Sequence, residues 1–174
     1  MIIVNRCDED LEKLQSFRRT IKAVNRGAAV YFENKVGQIM DLGPEELPYD
    51  LKAKVIEIND EDFGIWYIDA LDNPKNYNNK TIKIKGMVYN KPEFPKGNFV
   101  FGRLAMTCCE DDISFVGVVA KYEMAKTLKH NSWITLTAKV KYEFNKERQE
   151  DLPILIVQNI EPAKEPEDKV TYFN

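Results

Sequence analysis

The sequence predicts an α+β, mainly β, protein: an OB-like five-stranded barrel preceded by a short strand–helix–strand (βαβ) fragment. From Lys80 onward, apolar residues recur at every second position in several segments, as in half-buried strands. Near the N-terminus they recur at helical spacing between two short apolar runs. Between these parts, Gly43–Pro48 combines two prolines with two acidic residues, a composition typical of a linker. We therefore expect two domains, over residues 1–45 and 54–174.

The βαβ fragment begins with the apolar run Met1–Val4 and ends with a second strand at Ala28–Phe32. Asp8 is placed to cap the helix between them, whose apolar positions are Leu11, Leu14, Phe17, Ile21 and Val24. A helix between two strands favours parallel pairing. Because one such unit leaves its sheet edges open, we expect a homo-oligomer that associates through one of these two strands.

The second domain is predicted to start with an extended stretch at Lys54–Ile58 and a short helix around Glu61–Leu71, whose apolar side is Phe63, Trp66, Ala70 and Leu71. Five strands follow, around Ile82–Val88, Phe99–Phe101, Phe115–Tyr122, Ile134–Phe144 and Pro153–Ile160, with a helical insertion at Glu123–His130. The tail, Glu161–Asn174, is predicted to be an extension that is ordered at its start and frayed toward its end. Five strands with a helix between the third and fourth match the layout of the oligonucleotide/oligosaccharide-binding (OB) fold.

Composition limits the function classes. The 174 residues carry a net charge of −3, with both halves near neutral, so the whole molecule offers no electrostatic attraction to nucleic acid or anionic membrane. No apolar run reaches the ~18–20 residues of a membrane span, so we expect no membrane insertion. Three cysteines, two of them adjacent, do not form a disulfide framework, and a reducing, cytoplasmic location is expected.

A family resemblance rests on Lys80–Tyr89, Phe94–Gly97 and above all Gly102–Asp112, which contains Cys108 and Cys109. These segments, with Trp133-Ile134, resemble the C-terminal domain of bacterial YcgQ-type proteins over residues 54–174. Where that family commonly has Ala-Asp-Ala after the cysteines, this chain has Glu110-Asp111-Asp112. The resemblance implies a non-catalytic binding or regulatory module of metal (zinc) homeostasis with a metal-transport or GTPase partner.

Zinc is the cofactor that this context suggests, because soft thiolates suit Zn²⁺. The candidate ligands are Cys108, Cys109, Asp111, Asp112 and His130, with Glu110 as an alternative acid. Adjacent residues of a strand point to opposite faces, so the two thiols chelate one ion only if the chain bends there. Two alternatives stay open: a pair of small buried hydrophobic side chains, and a strained vicinal disulfide or redox switch. For His130, in a polar turn, a solvated or capping role is favoured over ligation.

A shorter resemblance concerns Ile2–Asp8 and Val24–Ala28, which resemble the guanine-reading Asn-Lys-x-Asp strand and a later segment of CobW-type metallochaperone GTPases. It implies that Asn5 and Asp8 read guanine, with Arg6 replacing the usual lysine. The chain contains no Gly-x-x-x-x-Gly-Lys-(Ser/Thr) motif, so nothing in it is predicted to cradle phosphates. We expect no enzyme activity from this chain alone; the alternative is the C-terminal part of a CobW-like GTPase whose phosphate loop lies upstream.

A further alternative is single-stranded nucleic-acid binding by the OB face. Its ingredients would be Lys83, Lys85, Lys139 and Lys141 with the aromatic residues Tyr89, Phe99 and Phe101. The balance of acids and bases favours a solvated sheet face instead, so nucleic acid is not the expected partner. Trp133 is predicted to anchor the core. With one histidine and no recognisable triad, hydrolase chemistry is not expected.

Overall fold

The computed structural model describes residues 31–33, 39–41, 47–106, 113–146 and 148–172, and the chain divides into two units. In the first unit, Arg6–Pro48, strand β1 (Tyr31–Glu33) pairs antiparallel with β2 (Ile39–Asp41). The predicted strand at Ala28–Phe32 overlaps β1, but its hairpin partner was not predicted. The predicted strand at Met1–Val4 and the helix after it lie outside the described residues.

The second unit contains Tyr49–Asn174. Its elements in chain order are β3 (Ile56–Ile58), α1 (Phe63–Asp72), α2 (Pro74–Tyr77), β4 (Thr81–Tyr89), β5 (Asn98–Met106), β6 (Ser114–Lys121), a 3₁₀ turn (Ala125–Thr127), β7 (Trp133–Asn145), β8 (Glu150–Pro162) and β9 (Val170–Tyr172). In β4 and the first part of β7, alternate residues are fully buried, as the period-two pattern predicts. The predicted helix is α1, and its four predicted apolar residues are all buried.

Five of these strands close into a barrel in the order β4-β7-β8-β6-β5, and β5 returns to pair with β4. Only the β6–β8 pair within this ring is parallel; the other four are antiparallel. The 3₁₀ turn stands between the third and fourth barrel strands. The predicted α+β, mainly β, five-stranded OB-like barrel is therefore confirmed.

The core lies inside this barrel, where β4 and the first part of β7 contribute every second residue and β5, β6 and β8 contribute runs of consecutive buried residues. Its fully buried members include Ile82, Ile84, Val88, Phe99, Phe101, Leu136, Val140 and Leu155. Opposite positions Gly102 and Gly117 of β5 and β6 allow the two strands to approach closely. A Cβ atom on Gly102 would lie 1.9 Å from the carbonyl oxygen of Val116, so only glycine fits there.

The junction between β4 and β5 is short. Met87–Tyr89 of β4 pair with Val100–Gly102 of β5, after which the two strands separate. Beyond that point, β3 pairs in parallel with β4 at Ile82–Ile84, and β9 pairs in parallel with β5 at Leu104–Met106. We call this gap, bordered by β3 and β9, the open seam. Strand β9 lies in the tail that was predicted to be an extension, and this strand was not predicted.

Candidate functional site

Arg103 of β5 fills the open seam. Its side chain is 2% exposed, although arginine side chains are almost never fully buried unless they are paired. Its guanidinium donates to the carbonyl oxygen of Lys85, from Nε at 3.2 Å and from Nη2 at 3.1 Å. It also donates from Nη1 to the carbonyl oxygen of Asp60 at 3.0 Å and from Nη2 to the Asp60 carboxylate. The Arg103 side chain thus joins β5, β4 and Asp60, which follows β3.

Two aromatic rings enclose the same guanidinium. The Cζ atom of Arg103 lies 5.2 Å from the ring centroid of Phe63 on α1 and 5.4 Å from that of Trp133 on β7. Both distances are within the range of a cation–π interaction. Trp133 is therefore half-buried and lies against a charged group. The prediction that it anchors the apolar core was wrong. Through Arg103 these contacts join helix α1 to strand β7 of the barrel.

The Asp60 carboxylate receives two cations. The Nζ atom of Lys85 lies 2.5 Å from Oδ2, and Arg103 binds Oδ1. Burial by itself raises the pKa of Asp60, but the hydrogen bonds from Lys85 and Arg103 outweigh it, so the pKa lies below its usual value. Asp60 is therefore ionised at neutral pH, and Arg103 has a permanent counter-charge.

A second buried polar group fixes α1 and α2. The hydroxyl of Tyr77 donates to the Asp69 carboxylate at 2.5 Å and lies 2.8 Å from the hydroxyl of Tyr49. Asn73 and Asn76 donate to the same carboxylate. Burial, followed by the proximity of Tyr49 and Asp69, raises the pKa of Tyr77, so its hydroxyl stays protonated as a donor. Because Asp69 has three donors, its burial is compensated and the group is structural.

A cleft of about 360 Å³ opens at the other end of β5, between the β4–β5 loop and the β6–β7 connection. We call it the loop cleft. Its walls are Asn90, Lys91, Pro92, Phe94, Pro95, Gly97, Asn98, Lys126, Leu128 and His130. Two lysines and the histidine supply cationic or hydrogen-bond-donating groups, four residues supply apolar surface, and the wall contains no carboxylate. Such a cleft can hold a ligand that is both anionic and apolar.

Tyr89 is the centre of an aromatic cluster beside the loop cleft. Its ring stacks on Phe115 at 5.3 Å between centroids, meets His130 edge-on at 5.0 Å and lies 6.1 Å from Phe94. Lys91 places its Nζ atom 5.2 Å from the Tyr89 centroid. The hydrogen bond with Tyr89 raises the pKa of Lys91, which stays cationic. Sequence reasoning missed Phe94 and Phe115 here, although an aromatic residue among the prolines of a loop was a usable signal.

The open seam is also concave. A cleft of about 450 Å³ is lined by Asp60, Glu61, Ile65, Pro166, Glu167, Asp168, Val170 and Thr171. Its wall contains four acids and no lysine, arginine or histidine. The two clefts lie toward opposite ends of β5 and carry opposite kinds of charge. The charge of Asp60 is offset by Lys85 and Arg103, so Glu61, Glu167 and Asp168 account for the acidic character of this wall.

Most of the predicted site residues lie outside the described residues: Asn5, Asp8, Cys108, Cys109, Asp111 and Asp112. Glu110 does so as well. His130 is described, is exposed and accepts the backbone N–H of Asn90 on Nδ1 at 3.1 Å. It stands beside the start of β5, whereas the cysteine pair follows Met106 at the strand's end. Among the residues that the structure describes, no three His, Cys, Asp or Glu side chains form a group that could hold a metal ion.

The aromatic residues proposed for base stacking are placed differently from expectation. Phe99 and Phe101 are 1% and 0% exposed and belong to the barrel core, so they cannot stack on bases. Tyr89 is half-buried within its own cluster. Lys83 and Lys139 stand on the partly exposed side of β4 and β7. The described face therefore lacks the two phenylalanines on which nucleic-acid binding depended.

This chain is similar to a curated bacterial protein and to part of a solved synthetase structure. A Streptococcus mutans protein named "Putative two-component membrane permease complex subunit" is 24% identical over 99 residues. That match covers 57% of this chain, which spans only 36% of the relative's length. Asparaginyl-tRNA synthetase from Pyrococcus horikoshii is 20% identical over 50% of this chain and 20% of its own, with a TM-score of 0.31 that supports no conclusion.

Within the described residues, no helix has both the length and the apolar character needed to cross a bilayer. The family comparison matches residues 40–173 to the DUF1980 C-terminal domain. That match confirms the YcgQ-type resemblance and leaves out residues 1–39, so the CobW-type resemblance there stays a prediction. Since the match covers most of the chain, this protein belongs to the DUF1980 C-terminal domain family.

Proposed function

We propose that this chain is a non-catalytic binding module of a membrane transport complex that serves zinc homeostasis. The observation that carries the proposal is the family match over residues 40–173, joined to a relative that is named a permease complex subunit. The closed barrel supports it, because OB-like barrels present binding loops on a rigid scaffold. In this proposal the chain itself performs no chemical step.

The metal-binding part of the proposal rests on the segment between β5 and β6. Cys108 and Cys109 follow the last residue of β5 closely, and Asp111 and Asp112 come before β6 begins. Two thiolates with carboxylate oxygens form a donor set that suits Zn²⁺. His130 is the less suitable fifth candidate, because its Nδ1 already accepts the Asn90 amide hydrogen. Since the cysteine thiols must lose their protons to bind the metal, zinc uptake should release protons and weaken at low pH.

Zinc titration of the reduced protein tests this part directly. We expect one equivalent to bind, and a Cys108→Ser/Cys109→Ser variant to lose it. Cys7→Ser is the matched control, because it removes the remaining cysteine, and it should bind like the parent. His130→Ala should also bind like the parent. No stoichiometric uptake, or equal uptake by the Cys108→Ser/Cys109→Ser variant, would remove zinc from the proposal.

The transport part needs a separate measurement. The tagged chain should be isolated from detergent-solubilised membranes of its source organism, and a polytopic membrane protein should copurify in a fixed ratio and survive a salt wash. The same preparation without detergent extraction is the control. Recovery of the chain alone, from membranes that demonstrably contain it, would contradict a stable complex.

A further inference from the structure

We propose that the loop cleft is the docking site for an acidic peptide segment, one in which carboxylates flank an apolar side chain. The inference deepens the proposed function, because in a transport complex that segment would belong to the membrane partner. It depends on features of the described residues alone, and none of them involves the cysteines. Zinc binding and peptide docking can therefore fail independently.

The donors of the loop cleft are matched to carboxylates. Lys91 and Lys126 are exposed cations of its wall, and His130 contributes an imidazole between the two loops. Because the Nδ1 atom of His130 accepts the N–H of Asn90, its ring proton is on Nε2, which is a donor. Three donor groups in a wall without a carboxylate favour an anion over a cation, and Glu93, whose charge acts on Lys91, stands outside this wall.

The apolar part of the loop cleft favours a ligand that carries an apolar group as well as negative charge. Phe94 and Leu128, both half-buried, stand with Pro92 and Pro95 in the same cleft. An apolar side chain that displaced water from these surfaces would add hydrophobic stabilisation to the ionic contacts. A phosphate ion would leave this surface wet, whereas a peptide with leucine or phenylalanine between acidic residues uses both kinds of wall.

The cleft is held in shape before any ligand binds. The side-chain amide of Asn90 donates to the carbonyl oxygens of Ala125 and Leu128, at 2.8 and 3.3 Å. The backbone N–H of Asn90 binds His130, so one residue ties the β4–β5 loop to the β6–β7 connection at three points. A preformed cleft loses less conformational entropy on binding, which favours a specific segment over diffuse attraction.

Charge placement selects the partner's chemistry. The cleft of the open seam, toward the far end of β5, has Glu61, Glu167 and Asp168 in its wall besides the paired Asp60, so an acidic segment is disfavoured there and attracted to the loop cleft. A concave site of about 360 Å³ accommodates a few peptide side chains. A flat bilayer surface cannot enter such a concavity, so the geometry favours a peptide over an anionic membrane.

The test uses the full chain and a fluorescein-labelled octapeptide that alternates acidic residues with leucine and phenylalanine. Fluorescence anisotropy at low salt should show saturable binding that weakens as salt rises. A Lys91→Gln/Lys126→Gln variant should lose affinity about tenfold, since two rim charges of this kind together supply roughly that factor. Lys83→Gln/Lys139→Gln removes the same charge from the outer side of β4 and β7 and should bind like the parent.

Three results would overturn the assignment. One is no binding of the octapeptide at low salt by a protein whose circular dichroism shows it to be folded. Another is equal loss of affinity in the two lysine variants, which would mean unspecific attraction. The third concerns the source of the anion: sedimentation with vesicles containing phosphatidylglycerol, lost in Lys91→Gln/Lys126→Gln while the octapeptide does not bind, would assign the cleft to a membrane surface.

Discussion

Replacing Arg103 with methionine should cost the protein about 3 kcal/mol of unfolding free energy. Breaking a buried ion pair from one side costs roughly 3–5 kcal/mol, because the remaining charge and hydrogen-bond acceptors lose their partner. Here two backbone carbonyls lose their donors, and two aromatic rings lose a cation. Asp60 is 36% exposed and keeps Lys85, which moves the expected value to the lower end of the range.

Urea unfolding followed by tryptophan fluorescence measures this loss, because Trp133 lies against the guanidinium. For an ordinary urea dependence the midpoint should fall by about 1–3 M. Arg103→Lys keeps the charge but not the planar fork, so its loss should be intermediate. Lys121→Met removes a cation from an exposed pair with Glu143 and should cost under about 1 kcal/mol. If Arg103→Met were as stable as Lys121→Met, the stabilising role of Arg103 in the open seam would be refuted.

Three other predictions concern pH, backbone space and the buried hydroxyl. The pKa of Asp60 is lowered in the folded protein, so its stabilisation is complete above its unfolded value near ~4 and is lost as the pH falls through the folded value. The stability difference between the parent and Asp60→Asn should therefore shrink below about pH 4 in acid titrations monitored by circular dichroism; a constant difference would contradict it. Gly102→Ala should prevent folding or cost several kcal/mol, because its Cβ would overlap β6. Gly97→Ala, at φ +83° with the nearest atom 3.7 Å from its Cβ, should cost about 1 kcal/mol. Thermal denaturation compares the two variants, and equal costs would exclude the steric reason. Tyr77→Phe should cost about 2 kcal/mol of unfolding free energy, because it withdraws a hydrogen-bond donor from buried Asp69. A change within about 0.5 kcal/mol, the scatter of surface substitutions, would show that Asn73 and Asn76 suffice to compensate the buried carboxylate.

The barrel was predictable because its strands are long and alternate. Strand β7 spans Trp133–Asn145, and its apolar residues keep one phase from Ile134 to Val140. Strand β9 has three residues and no pattern of its own, so its structure comes from pairing with β5, which no local signal reveals. The same distinction explains the hairpin of β1 and β2, also three residues each.

The site was harder to predict because strand phase is ambiguous when both faces are apolar. Phe99, Val100 and Phe101 are all buried, so alternation could not tell which of them face the interior. Once Phe101 is placed inside, Arg103 follows inside by the two-residue period. A buried arginine needs a carboxylate, and Asp60 lies 43 residues away in the sequence, a pairing that only the closed barrel creates. The loop cleft likewise depends on tertiary contacts of Asn90.

Two of the five strand pairings in the barrel, β4–β5 and β6–β8, have three residue pairs each, compared with the twelve pairs between β7 and β8. Local opening of a protein begins where few hydrogen bonds must break, so the amides of Met87 and Tyr89, which face β5, should exchange with solvent at a lower free-energy cost than global unfolding requires. The loop cleft begins directly after Tyr89, and a ligand that requires its closed shape would slow that exchange by mass action. The rate of amide exchange at the β4–β5 junction should therefore report whether a ligand occupies the loop cleft.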